Sequence, residues 1–174
     1  MLTLLIALAL AADPCTSGVP VGGKPGPYSF LVATGPQRGQ PTCYICEQAE
    51  KPSVVVFART LSEPLGKFLA KLDAEAIARK EAGFKVWMTQ LTATADLDGL
   101  AKWAQTNGIK SLPIGAFEDA DGPPAYKLAA DADVTVLLFV DRKVVANFAL
   151  RSGELTAAKS DEMLKAVPEL FKKK

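Results

Sequence analysis

The sequence contains no histidine. Ser-His-Asp and Cys-His nucleophile systems need an imidazole base, so this chain cannot build either of them. The same absence excludes zinc sites with histidine ligands and the haem attachment motif that ends in histidine. Only three cysteines occur in the 174 residues, which is one too few for a four-thiolate structural zinc site. Many common enzyme and metal sites are therefore excluded before any motif is considered.

An excess of charge of either sign is also absent, since 20 Lys and Arg residues balance 19 Asp and Glu residues. Without a basic face, nothing electrostatic indicates a nucleic-acid partner. The chain is 49% hydrophobic and 22% charged, which is typical of a globular protein. At this length we expect one folded domain with a substantial core.

An uncharged, mostly apolar run occupies residues 1–12 and is too short to span a bilayer. It ends in small residues at Ala11 and Ala12, as a signal-peptide cleavage site does, although no Lys or Arg precedes the apolar core. We predict that residues 1–12 are a signal peptide and that the protein is extracytoplasmic, either periplasmic or secreted. No membrane span is expected to remain after the signal is removed.

A regular alternation of strand and helix patterns begins after residue 52. Residues 13–52 are rich in Pro, Gly, Ser and Thr, which predicts an extended lead-in with one short strand near 28–33. The later patterns predict strands at 54–58, 84–91, 112–117, 134–140 and 144–150, helices at 63–83, 97–107 and 125–130, and a C-terminal helix. This order predicts an α/β fold with a parallel sheet, crossover helices and a late antiparallel hairpin.

Four segments carry a family resemblance. They are Val21–Pro25 with Tyr28–Leu31, Leu100–Leu112, Pro113–Tyr126 with its acidic turn, and Val136–Asp141. In this order they resemble the redoxin and peroxiredoxin (AhpC/TSA-like) branch of the thioredoxin-like superfamily. The resemblance implies a thioredoxin-like fold, with a central mixed sheet flanked by helices, over residues 53–174.

The resemblance fails at the reactive cysteine. In redoxins the first long strand leads into a helix whose N-terminus carries that cysteine, and the helix dipole lowers the pKa of the thiol. Aligned on Val54–Phe57, this position holds Ser62, and Leu65 stands at the second cysteine. Serine without a base is not a usable nucleophile, whereas it is a good helix cap. We therefore expect a cap and no thioredoxin or peroxidase chemistry at Ser62.

The remaining chemical signal is the CxxC pair Cys43 and Cys46, which lies in the lead-in before the first core strand. Such a pair closes a small disulfide ring, acts as a redox dithiol, or supplies two metal ligands. The sequence leaves open an oxidised structural clip, a displaced catalytic centre in which Cys43 attacks, and a soft-metal site that includes Cys15. With three cysteines the count is odd, so Cys15 is expected to be free or to form an intermolecular bridge.

The leading functional prediction is thiol–disulfide exchange at Cys43 and Cys46 with a protein thiol or disulfide partner, without a cofactor or resident metal. The competing hypothesis is a catalytically silent binding or assembly module with a structural disulfide between these two cysteines. Trp87 and Trp103 are expected to be core residues. Arg59 and Glu63 flank Ser62, which is called the redoxin position because redoxins have their reactive cysteine there. Both are expected to be exposed charges of little consequence.

Overall fold

The structure, a computed structural model, describes residues 13–48 and 50–172. The predicted signal peptide therefore lies outside the described residues. The strands are β1 Phe30–Val32, β2 Pro41–Thr42, β3 Ser53–Ala58, β4 Lys85–Leu91, β5 Ile114–Phe117, β6 Val134–Val140 and β7 Lys143–Leu150. The helices are α1 Tyr44–Gln48, α2 Glu63–Ala78, α3 Leu97–Thr106 and α4 Ala157–Ala166, with short 3-10 turns at Lys80–Ala82, Pro124–Tyr126 and Val167–Phe171.

Side-chain caps begin the three long helices. The side chains of Ser62, Asp96 and Thr156 each accept a hydrogen bond from a backbone N–H in the first turn of α2, α3 and α4, respectively. Helix α2 ends at Ala78, before the predicted end, and the chain then tightens into a 3-10 turn. Gly83 closes that turn with φ 71°, a left-handed conformation that favours glycine.

All seven strands join one mixed sheet in the order β2-β1-β5-β4-β3-β6-β7. The neighbours β3–β4 and β4–β5 are parallel, and the other neighbours are antiparallel. The predicted α/β class and mixed sheet are confirmed. The helix predicted at 125–130 is only the 3-10 turn Pro124–Tyr126, because Lys127 takes a left-handed backbone conformation with φ 51° that ends it.

The two faces of the sheet are covered by different kinds of structure. One face, which includes Val54 and Val56, packs against the apolar sides of α2, α3 and α4. The other face, which includes Val55 and Phe57, packs against aromatic residues from the lead-in and from the loop before β6. The members of this second core are Val19, Tyr28, Phe30, Val32, Tyr44, Val55, Phe57, Trp87, Leu91, Tyr126, Leu137, Phe139 and Val144.

Polar contacts fix the lead-in on this second face. The buried hydroxyl of Tyr28 lies 2.8 Å from the hydroxyl of Thr89 and accepts a hydrogen bond of 2.9 Å from the indole N–H of Trp87. The backbone N–H of Gly22 donates to Val144 O at 2.8 Å, and Val144 N–H donates back to Gly23 O at 2.9 Å. The lead-in is therefore packed against the sheet before it reaches β1.

Candidate functional site

Cys43 and Cys46 are joined by a disulfide, with their Cα atoms 5.3 Å apart. Cys43 directly precedes α1, and the backbone N–H of Cys46 donates to Cys43 Sγ at 3.3 Å. Cys43 is half-buried, whereas Cys46 is exposed. The predicted pairing is confirmed, and the two cysteines differ in their exposure to solvent.

Tyr44, which lies between the two cysteines, holds α1 on the sheet. Its side chain is buried, with ring centroids 5.7 Å from Phe30 and 5.6 Å from Trp87. The ammonium group of Lys85 lies 3.9 Å from the centre of the Tyr44 ring, in a cation–π contact. Burial raises the pKa of the Tyr44 hydroxyl to about 12, so this group stays neutral and remains a hydrogen-bond donor at physiological pH.

A polar network surrounds the exposed side of the same helix. Tyr44 Oη donates to Gln37 Oε1 at 2.5 Å, and Gln37 Nε2 donates to Glu47 Oε1 at 3.3 Å. Lys85 Nζ completes the network by donating to Glu47 Oε2 at 3.4 Å. These contacts link α1 to the β1–β2 loop and to the start of β4. A helix of five residues, which is too short to be stable alone, is thereby fixed in place.

Two grooves flank α1. The first, of about 250 Å³, is lined by Lys24, Pro25, Pro27, Ile45, Cys46, Phe139 and Arg142. The second, of about 550 Å³, extends from Tyr44 and Gln48 to the residues before β4 and β5. Gln48 is buried, and its amide oxygen has no hydrogen-bond partner among the residues that the structure describes. Only the first groove includes a cysteine of the disulfide.

The redoxin position has a different organisation. Ser62 Oγ accepts a hydrogen bond of 3.3 Å from Leu65 N–H, which confirms the predicted cap. Glu63 forms an ion pair of 2.6 Å with the exposed Lys67. Among the described residues, the Ser62 hydroxyl forms no hydrogen bond to a carboxylate, and the free cysteine, Cys15, lies elsewhere.

Arg59 was expected to be an exposed charge of little consequence, and this expectation is wrong. Its guanidinium donates to the carbonyl oxygens of Ala132 at 3.0 Å and Ala129 at 3.1 Å, and also to that of Ala120. The side chain therefore fastens the loop before β6 to the end of β3. Nothing in the local sequence pattern identifies such a contact, because the carbonyl groups come from residues more than sixty positions away.

The disulfide and Ser62 lie at opposite ends of the sheet. Ser62 follows the C-terminal end of β3, whereas α1 precedes its N-terminal end and contacts Lys85, the first residue of β4. A strand of six residues separates these ends by roughly 17–20 Å. The CxxC pair is thus displaced in space as well as in sequence.

Cys15 is not brought to the disulfide. It is half-buried in a groove lined by Arg151 and Glu154, beyond the C-terminal end of β7. Burial, with a smaller contribution from the negative charge of Asp131, raises the pKa of the Cys15 thiol above its usual range. Within residues 13–48 and 50–172, no three His, Cys, Asp or Glu side chains form a group that could hold a metal ion. The three-cysteine metal site considered from the sequence is therefore not assembled.

Comparison with known proteins gives relatives in structure only. No protein-family model and no curated protein matches the chain. A protein from Chlorobium tepidum described as a thiol:disulfide interchange protein DsbE superposes with a TM-score of 0.62 at 15% identity, covering 86% of this chain and 99% of that one. A Bacteroides thetaiotaomicron protein described as a protein disulfide isomerase superposes with a TM-score of 0.62 at 17% identity. The match covers 88% of this chain and 95% of that one.

The peroxiredoxin branch is also represented. Peroxidoxin BcpB from Mycobacterium tuberculosis superposes with a TM-score of 0.62 at 17% identity, covering 88% of this chain and 97% of that one. Across the described part of the chain, no helix is long and apolar enough to cross a membrane. The predicted resemblance to redoxins and peroxiredoxins is confirmed in the architecture: this chain has the thioredoxin-like fold.

Proposed function

We propose that this protein exchanges disulfides with cysteine residues of partner proteins through Cys43 and Cys46. The observation that carries the proposal is the location of the disulfide, which closes at the surface with Cys46 exposed and a groove beside it. The redoxin position offers Ser62 in place of a thiol. The fold neighbours described as a thiol:disulfide interchange protein and a protein disulfide isomerase support the same chemistry.

In the exchange, two thiols of the partner are oxidised and the Cys43–Cys46 disulfide is reduced by the same two electrons. A partner thiolate attacks Cys46 Sγ, the Cys43–Cys46 bond breaks, and a mixed disulfide forms while Cys43 leaves as a thiolate. A second partner thiol then loses its proton and displaces Cys46, so the partner becomes a disulfide and the pair a dithiol. The Cys46 N–H, which donates to Cys43 Sγ, is placed to stabilise the leaving thiolate. We therefore assign contact with the partner to Cys46 and the leaving-group role to Cys43. This reverses the role expected from the sequence, in which Cys43 attacks, because Cys46 is the more exposed cysteine.

The equilibrium reduction potential against glutathione tests this proposal. We expect a value within the range of known oxidoreductases, about −120 to −270 mV. A potential well below about −300 mV, as in structural disulfides, would contradict the exchange function. Trapping tests the roles: Cys43→Ser should retain a mixed disulfide on Cys46, and the matched Cys46→Ser variant should retain less.

A silent module with a structural disulfide is the second candidate, and the position of Tyr44 favours it. This ring is 2% exposed and lies between the two cysteines, so the disulfide restricts the loop that inserts the ring into the second core. This function predicts a low reduction potential, no trapped partner from either variant, and a loosened α1 after reduction. Hydrogen exchange of the α1 amides with and without reductant measures the last effect.

We also propose that the protein acts outside the cytoplasm. Residues 1–12 support this by their signal-peptide pattern, and an oxidising compartment would keep the disulfide closed. Mass spectrometry of the protein from its native source should show a chain that begins at Ala12 or Asp13. An intact Met1 on a cytoplasmic protein would contradict export.

A further inference from the structure

The groove beside Cys46 is assembled from three separate segments. The lead-in supplies Lys24 and two prolines, α1 supplies Ile45 and Cys46, and the end of β6 with the β6–β7 turn supplies Phe139 and Arg142. We propose that this groove selects partner protein segments in which the reacting cysteine is flanked by carboxylates. The inference rests on the proposed exchange function and names the substrate class of that site.

Backbone hydrogen bonds hold the three segments together. The reciprocal pair between Gly22–Gly23 and Val144 fixes the lead-in against β7, immediately before Lys24. On the other side, Asp141 N–H donates to Glu50 O at 2.9 Å, which ties the β6–β7 turn to the residues after α1. The groove is therefore part of the folded framework, and its two cations stand on fixed backbone.

Charge complementarity indicates the occupant. Lys24 and Arg142 are exposed, and neither forms an ion pair with another described residue. The acidic residue of α1, Glu47, is already engaged by Gln37 and Lys85. Two unpaired cations beside an exposed cysteine attract carboxylates. The apolar walls of the groove suit an extended peptide, whose cysteine would meet Cys46 while neighbouring acidic side chains meet the cations.

The backbone at Arg142 gives an independent indication. The β6–β7 turn has positive φ at both central residues, 52° at Asp141 and 58° at Arg142. Glycine is strongly preferred at the second of these positions, because a β-carbon is disfavoured in the left-handed region. Arginine at this place costs stability without any ion pair in return. A residue held in an unfavourable backbone conformation beside a reactive group is a candidate for function.

Lys127 provides a matched control for Arg142. It is also an exposed cation with positive φ, 51°, but it lies after the Pro124–Tyr126 turn and does not line the groove. Arg142→Gly and Lys127→Gly each remove one positive charge and relieve one left-handed side chain. Both variants should therefore keep or raise the urea midpoint of unfolding. Only Arg142→Gly removes a cation from the groove.

The experiment measures reduction of the oxidised protein by three synthetic peptides, each with a single cysteine flanked by Asp, Asn or Lys on both sides. Rates are corrected for the thiolate fraction of each peptide. In the parent protein the order should be Asp above Asn above Lys. Arg142→Gly should lower the Asp-to-Asn rate ratio about two- to fivefold, the range of an exposed ion pair. Lys127→Gly should leave the ratio unchanged.

Salt provides a further readout, since high ionic strength screens exposed charges and should reduce the Asp preference of the parent protein. Equal Asp-to-Asn ratios in the parent and Arg142→Gly proteins would overturn the groove proposal while leaving exchange intact. An equal loss in Lys127→Gly would also overturn it, because the preference would then come from net charge. Failure of all three peptides to reduce the disulfide would overturn exchange and the groove together.

Discussion

A helix adjoins each end of β3, and the two helices begin with different side chains. At the C-terminal end, Ser62 caps a helix of 16 residues through a hydrogen bond with Leu65 N–H. At the N-terminal end, Cys43 begins a helix of only five residues that carries a surface disulfide. The framework of the fold is therefore complete although Ser62 stands where the redoxin resemblance places a cysteine, and the disulfide lies at the other end. In this fold, the location of chemistry depends on individual side chains.

The two ends also differ in the polar groups that hold their loops. Arg59 fastens the loop before β6 at the Ser62 end. At the disulfide end, the buried carboxylate of Asp73 accepts hydrogen bonds from Lys110 N–H at 2.7 Å, Ser111 Oγ at 2.6 Å and Leu112 N–H at 2.7 Å. The first anchor is a partly exposed cation on the carbonyls of exposed Ala120, half-buried Ala129 and buried Ala132, and the second is a buried anion. Substitutions of these anchors at the two ends should therefore lower the free energy of unfolding by unequal amounts.

The largest effect is expected for Asp73→Ala, which should lower the free energy of unfolding by about 3 kcal/mol, because the buried N–H of Leu112 and the part-buried N–H groups of Lys110 and Ser111 lose their acceptor. Arg59→Met should lower the free energy of unfolding by less, since water can reach the released carbonyl groups of Ala120 and Ala129. Urea denaturation of both variants measures the difference. An equal or larger loss in Arg59→Met would break the contrast between the ends.

A smaller loss is expected when the disulfide is removed by the double change Cys43→Ser and Cys46→Ser. The chain-entropy relation gives about 2 kcal/mol for a ring of four residues, below the value for a long-range bridge. Reduced parent protein is the matched control in the same urea titration. A loss far above this figure would show that the disulfide end depends on the bond for its fold, which favours the structural module over exchange.

Ser62→Ala should lower the free energy of unfolding by about 1 kcal/mol, the usual contribution of a helix cap. It should leave the rate of exchange at Cys46 unchanged. Ser62→Cys sharpens the comparison, because a thiol at this helix N-terminus should have a pKa below the free value of about 8.5. The pH dependence of alkylation measures that pKa in a background with Cys15 replaced by Ser. Loss of exchange in a stably folded Ser62→Ala protein would move the active centre back to the Ser62 end.

The smallest change in the free energy of unfolding is expected for Gln48→Met, and it should be a gain where the other substitutions cause a loss. The Gln48 amide oxygen is buried without a hydrogen-bond partner among the described residues, so an apolar side chain of similar length removes a desolvation cost. We expect the free energy of unfolding to stay within about 0.5 kcal/mol of the parent value or to rise above it. A clear loss in thermal denaturation would reveal a hydrogen bond at this amide in solution, and Gln48→Glu would then separate donor from acceptor roles.

Much of the central fold could be predicted from the sequence because its signals are local. The strand predicted at 134–140 forms β6 with the predicted limits, and the cap at Ser62 is confirmed. Helix α2 was predicted to run to Gly83, but the structure ends it at Ala78 and inserts a 3-10 turn. The apolar spacing of the sequence does not distinguish these two kinds of helix.

The disulfide and Ser62 were identifiable from residue type and order, but their surroundings were not. Residues 13–42 have the Pro- and Gly-rich composition of a loop, yet Tyr28 is buried with its hydroxyl on Thr89. The cations of the groove, Lys24 and Arg142, are separated by more than a hundred residues and meet through the pairing of the lead-in with β7. Such contacts depend on the topology of the whole sheet and leave no periodic pattern.

The pairing of Gly22–Gly23 with Val144 also bears on solubility. Strand β7 ends the sheet, and an uncovered edge strand of eight residues presents backbone groups that a second chain can pair with. The lead-in occupies those groups near the start of β7. At the opposite edge, β2 is only two residues long and contains Pro41, which offers little to an incoming strand. Each margin of the sheet therefore leaves fewer backbone groups open to an incoming strand.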